Sequence, residues 1–213
     1  MDKDKQNFEE ISESPQIELE KVKLNREWSF WENYEEKNEG KNKTKEKYSQ
    51  SLKEIYTFDD IISFWQFWNK YPGNDTKKIF YNGEYITYFF KEKFRIIAMN
   101  VFVKGIRPAW EDEHNKGGHY YILGYDPKSD IAAFLTDITN TWIKLIINLI
   151  GEKLPHTEKI NGIRFVDKTK IGKANTFKFE LWVNSSITEE EKDELLDFLK
   201  KNYCTGALVR GIP

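Results

Sequence analysis

Hairpin signals between neighbouring strand-like segments, interrupted by helix-patterned stretches at irregular intervals, narrow the folds open to this 213-residue chain more than any other feature. Ile160 to Asp167 and Phe177 to Val183 read as paired strands joined by a Lys-rich loop. Asn82-Gly83 marks a turn among the Tyr-, Phe- and Ile-rich runs between Lys77 and Val103, where two or three strands are expected. Trp28, Phe30, Trp31 and Tyr34 give a first strand with imperfect alternation, Gly118 to Tyr125 another, and Gly206 to Ile212 a short last one. Such an order favours an α+β fold: an antiparallel sheet with helices packed on one face.

The helices carry their own punctuation. Phe58-Asp59-Asp60 precedes Ile61, Ile62, Trp65 and Trp68 at helical spacing, with Asp59 read as the cap and an end before Pro72-Gly73. Ser129 or Asp130 caps a longer helix whose apolar face includes Phe134, Ile138, Trp142, Leu145 and Leu149, closed by Gly151. Thr188 with Glu191 forms a capping box for a helix through Lys200. Residues 1–22 are charged and poor in apolar anchors, so a disordered tail is expected ahead of a single domain over 23–213.

Charge excludes one class of mechanism. Thirty-three Lys and Arg against 35 Asp and Glu leave a net of −2, so long-range attraction cannot carry nucleic-acid binding and any RNA contact must be local. Aromatics, at 15% with seven Trp, exceed what a core needs, and some are expected to face a ligand. The lone Cys204 excludes an intramolecular disulfide and a Cys-based zinc cluster. No signal-peptide pattern opens the chain, and the run Trp142 to Ile150 is too short to span a bilayer, so a cytoplasmic protein without membrane contact is expected.

Trp110-Glu111-Asp112-Glu113, followed by the turn Asn115-Lys116-Gly117-Gly118, places a large π face beside acids. That is what stacking a flat, electron-poor ring and accepting hydrogen bonds from its edge require. The bland reading of Asp112 and Glu113 is a solvated acidic turn. Glu111, Glu113, His114 and His119 form the cluster that most imitates metal ligands, but no spacing among them matches a catalytic zinc helix, so neither metal nor enzyme activity is expected.

Trp28-x-x-Trp31, Tyr48 with Phe64-Trp65 further on, Trp110-Glu111-Asp112-Glu113, Trp142 through Ile150-Gly151-Glu152, and Trp182 occur in the order and near the spacing of the eukaryotic messenger-RNA cap-binding translation initiation factors of the 4E type. Over residues 22–184 the chain resembles that family, which implies one curved antiparallel sheet of about eight strands with three helices on its convex back. It further implies a slot in which 7-methylguanosine is sandwiched between Tyr48 and Trp110, with Glu111 accepting from the guanine edge and Trp182 packing against the methyl group. Methylation makes the base cationic, and a cation between two π faces gains stacking and cation–π energy. For Trp182 a plain core position is an equal alternative.

The resemblance also implies phosphate contacts from Lys178, from Lys168 where the family has an arginine, and from His119 where many members have another. The loop from Asp167 to Phe179 is longer than its counterparts, and Lys170 and Lys173 in it have no assigned role. On the convex side Trp65, Ile61, Ile143 and Ile147 match positions that accept a scaffold or repressor helix with a Tyr-x4-Leu-hydrophobic motif, although on residue type alone they read as core. Three departures stand out: Tyr48 replaces a tryptophan, as in a divergent branch that often represses translation; Lys144 replaces an acid; and Val22-Lys23 replaces His-Pro. The implied ligands are capped messenger RNA and 7-methyl-GTP or 7-methyl-GDP analogues, bound by a monomer without a cofactor. The implied role is to present the cap to a scaffold in translation initiation. A protein-interaction module of the same fold with weak or no cap binding is the alternative.

Overall fold

The computed structural model describes residues 22–36, 51–79, 94–125, 131–168 and 177–212. Its elements run β1 (Lys23–Glu36), β2 (Leu52–Asp60), α1 (Ile61–Trp68), the one-turn α2 (Thr76–Ile79), β3 (Phe94–Val103), β4 (His119–Tyr125), α3 (Ile131–Ile150), β5 (Ile160–Asp167), β6 (Phe177–Val183), α4 (Glu189–Asn202) and β7 (Leu208–Gly211). The strands form one antiparallel sheet in the order β2-β1-β3-β5-β6-β4-β7. Seven strands are therefore seen among the described residues where about eight were expected. The expected tail and the turn at Asn82-Gly83 lie outside the described residues.

Imperfect alternation in β1 has a structural cause. Its register shifts between Phe30 and Trp31 against β2 and between Asn33 and Tyr34 against β3, so the side chains change phase along the strand. The cap of α1 is Asp60, not Asp59: β2 stays paired through Asp60, which keeps an extended backbone, and its carboxylate accepts from Ser63 N at 2.8 Å and Ser63 Oγ at 2.7 Å. Asp59 instead meets Lys23 across the strand pair at 2.5 Å. The one helix beyond the three expected, α2, is too short to show a period in the sequence. It is held by Thr76, whose hydroxyl donates to the Leu135 carbonyl at 3.0 Å and whose N–H reaches Thr139 Oγ1 at 3.2 Å on α3.

One sheet face packs on α3 and α4. Trp142 of α3 lies fully buried against Phe165 and Phe179, with ring centroids 5.7 and 5.8 Å away, and Tyr121, Leu123, Leu181, Leu195 and Leu199 complete this part of the core. Each such side chain contributes about 1.5–3 kcal/mol by leaving water. The opposite face carries the alternating residues Asn33, Asn100, Arg164, Lys178, Glu180 and Trp182. The α3 helix closes where expected, with the Gly151 N–H donating to the Ile147 carbonyl at 2.9 Å. The α4 capping box is complete: Thr188 Oγ1 accepts from Glu191 N and Glu191 Oε2 from Thr188 N.

Candidate nucleic-acid interface

The turn over residues 104–118, between β3 and β4, is shaped by two asparagines and an aspartate as well as by the buried Ile106 and Ala109. Asn115 is fully buried, donates to the carbonyls of Arg107 (2.8 Å) and Ala109 (2.9 Å), and accepts from Asn161 Nδ2 of β5 at 2.9 Å. Asn161 also donates to the His114 carbonyl. Asp112 accepts from the N–H groups of Arg107 and His114 and pairs with the His114 ring at 3.0 Å. These bonds supply the partners that a non-regular backbone otherwise lacks. Gly117 takes φ +69°, a conformation glycine adopts without strain, and so closes the turn.

Held at the tip of this turn, Trp110 keeps 49% of its surface exposed, and Glu111 beside it is exposed as well. A half-exposed indole on an otherwise pinned segment is a prepaid stacking surface, because little of it remains to be ordered on binding. Tyr48, its expected counterpart, lies outside the described residues.

Beneath the turn, Trp182 of β6 is completely buried in a small cluster of its own with Phe102, Ile106 and Ile212, flanked by Tyr120. Its ring meets Phe102 edge-on at 5.7 Å and Tyr120 at 6.0 Å. Gly162 makes that contact feasible: a Cβ there would sit 2.4 Å from the Phe102 ring. Trp182 is thus neither in the main core nor open to a ligand in this structure; it supports the face on which the turn stands.

A polar ladder crosses the same face. Asn100 donates to Asn33 Oδ1 at 2.9 Å and to the Trp31 carbonyl at 3.2 Å, and its own oxygen accepts from Arg164 Nε at 2.9 Å. Arg164 continues to Glu180 at 3.2 Å, and its guanidinium lies 5.3 Å from the Trp182 ring centre. Lys178 closes on the second Glu180 oxygen, and Trp182 Nε1 donates to the first at 3.2 Å. Burial alone would push the Glu180 carboxyl up, but Arg164, Lys178 and the indole N–H outweigh it and hold it below the usual carboxylate range. Lys168, exposed just beyond β5, lies within electrostatic range of this group.

Arg164 and Glu180 were not singled out in the sequence. The available signal was the lone arginine in Ile160 to Asp167, which needs a partner once the strand is buried. His119 needs correction. It alternates with Tyr120 along β4 and shares the side of core residues Tyr121 and Leu123, reaching within 3.4 Å of Lys192 on α4. It therefore stands on the helix-covered face, away from Lys178, and burial followed by the Lys192 charge lowers its pKa.

On that helix side, Trp65 and Ile147 stay 37% and 40% exposed, and Ile61 and Ile143 are half-buried, so none of these four is sealed in the core. Lys144 projects over the Tyr203 ring at 5.0 Å.

The sequence of residues 23–205 matches the family model of eukaryotic initiation factor 4E. The chain is 28% identical over 141 residues to a eukaryotic translation initiation factor 4E of Candida albicans, covering 66% of this chain and 56% of that protein. It is 27% identical over 168 residues to the 4E1 factor of Drosophila melanogaster, covering 79% and 52% respectively. The chain thus spans only about half the length of these two relatives. Among solved structures, the fold is similar to that of C. elegans eIF4E-3 in complex with the 4E-binding protein Mextli, with a TM-score of 0.63, 19% identity and coverage of 85% of this chain and 86% of that one. It is likewise similar to Ascaris suum eIF4E-3 in complex with the m7G cap, with a TM-score of 0.60, 21% identity and coverage of 85% and 83%. A single antiparallel sheet backed by helices, together with a family match that spans most of the chain, leads to one assignment: this chain belongs to the eukaryotic initiation factor 4E family.

Proposed function

We propose that the protein binds the 7-methylguanosine cap of messenger RNA and acts, without catalysis, in translation initiation in the cytoplasm. The observation that carries this reading is the half-exposed Trp110 on a turn pinned by Asn115, with the exposed carboxylate of Glu111 next to it. Trp110 forms one wall of the slot and Tyr48 the other, the cationic base lying between two π faces. Glu111 accepts from N1–H and the exocyclic amine, a charge-assisted pair that a neutral side chain does not match. Trp182 supports the methyl side from below, and Lys178 with Lys168 lies toward the phosphates.

The exposed Trp65 and Ile147, with Ile61 and Ile143, form the surface on which a scaffold or repressor helix lays its apolar side. The protein presents the cap to that partner as a monomer. Retention on immobilised 7-methyl-GTP, with elution by free 7-methyl-GDP and not by GDP, is the expected result; flow-through without retention would refute the reading.

A further inference from the structure

Lys144 is the only charged residue on α3 after Asp137, and it borders the exposed apolar side of that helix. At about 3.6 residues per turn, Ile143 and Ile147 lie side by side, Lys144 stands on the flank of Ile147 away from Ile143, and Asn148 lies beyond it. Tyr203, the residue after α4, closes this flank. Its hydroxyl accepts from Asn148 Nδ2 at 2.5 Å, and its carbonyl accepts from the Tyr125 hydroxyl at 3.1 Å. The Lys144 ammonium sits 5.0 Å from the centre of the Tyr203 ring, is exposed, and has no carboxylate partner among the described residues. A cation seated on a ring that is itself tied at both ends has little freedom left to lose when an anion arrives. The start of β1 joins this surface to α1: the Val22 carbonyl accepts from Ile61 N–H at 3.1 Å, and Asn25 donates to Glu152, just past α3, at 2.6 Å.

We infer that the segment docking on Trp65 and Ile147 is acidic on the flank that faces α4, and that Lys144 selects it by charge. The inference rests on the partner-surface reading above. An apolar patch alone accepts any amphipathic helix of matching shape; discrimination among such helices needs a charge that favours one sign and penalises the other. Lys144 is placed to supply it, since Trp65, Ile61, Ile143 and Ile147 carry none. Lys23, the cation at the start of β1, is already matched by Asp59. A basic residue brought beside Lys144 meets a like charge with no acid to offset it, whereas an acidic one meets an ammonium already in position. Seating on the ring orients that ammonium without cancelling its charge. Because Lys144 stands at the solvated edge of the patch, the preference is modest and sensitive to salt.

Fluorescence anisotropy with two labelled peptides tests this. Both carry the Tyr-x4-Leu-hydrophobic motif; one has glutamate and the other lysine at the polar positions between Tyr and Leu, residues of similar helix propensity. The wild-type protein is expected to bind the glutamate peptide about two- to fivefold more tightly at low salt, the range of an exposed ion pair, with the gap closing at high salt. Lys144→Glu is expected to reverse the order and Lys144→Gln to erase it, and comparison across the variants cancels any intrinsic difference between the peptides. Both substitutions fall on an exposed side chain, so an unchanged circular dichroism spectrum is expected. Tighter binding of the lysine peptide by the wild type, or a preference that survives unchanged in Lys144→Glu, would overturn the inference while leaving the docking surface in place. Failure of both peptides to bind, with retention on 7-methyl-GTP resin intact, would remove the docking surface and the inference with it.

Discussion

Trp110 and Asn115 divide the labour of the turn at single-residue resolution. The indole offers surface and the amide holds the backbone that offers it. Trp110→Ala is expected to weaken 7-methyl-GTP binding by about 1–3 kcal/mol, the worth of one base–aromatic stack, while leaving the melting temperature almost unchanged because the ring is half in water. Asn115→Ala should behave differently. It removes three hydrogen bonds, two to the carbonyls of Arg107 and Ala109, which each keep a backbone donor, and one from the Asn161 amide, which keeps the His114 carbonyl, so a stability loss of about 1–3 kcal/mol is expected in denaturant unfolding at about 0.5–1.5 kcal/mol per bond. Affinity should fall as well, although Asn115 is fully buried and offers no surface to a ligand. Unchanged affinity in the folded Asn115→Ala protein would show that the turn needs no pinning.

At the scale of elements, α4 carries the clearest pH signature. Glu191 accepts from the Lys159 ammonium and closes the capping box with Thr188, and these bonds hold its carboxyl down at about 2. A depressed folded-state pKa means that the contribution is fully present above the ordinary carboxylate value of 4.5 and is lost as pH falls from there toward 2. Denaturant midpoints between neutral pH and pH about 3 should therefore decline, and Glu191→Gln should flatten that decline. A variant with the same acid slope as the wild type would assign the effect to other groups. On α1, Trp65→Ala is expected to abolish capture of a Tyr-x4-Leu helix while leaving retention on 7-methyl-GTP resin intact, since the 37% exposed ring can be removed without emptying the core. Loss of the circular dichroism spectrum would instead make Trp65 structural.

Which features were legible in the sequence follows from how local their determinants are. The Thr188–Glu191 box, the β5–β6 pair and the Gly151 stop depend on residues within a few positions or on a single loop, and the structure places them as expected. The shift of the α1 cap from Asp59 to Asp60 was set by where β2 stops pairing with β1, which no local pattern records. His119 was misplaced because the face on which a strand residue lands depends on register, here fixed by Tyr121, Leu123 and Lys192. Glu180 and Arg164 escaped notice because each is unremarkable alone; only the β5–β6 register makes them partners.

At the scale of the whole molecule, the Trp110 turn adjoins the sheet face that bears Trp182, opposite the one packed on α3 and α4, and a net charge of −2 gives no long-range pull toward RNA. Under the proposed function, recognition then falls to local chemistry: π faces and one exposed acid matched to a cationic base. That claim turns on the methyl group, because only the N7-methylated ring carries the charge. Titration of intrinsic tryptophan fluorescence with 7-methyl-GTP and with GTP, side by side, tests it most directly. The account predicts strong quenching by 7-methyl-GTP, as Trp110 becomes a stacking partner, and far weaker binding of GTP; equal affinity for the two nucleotides would contradict it.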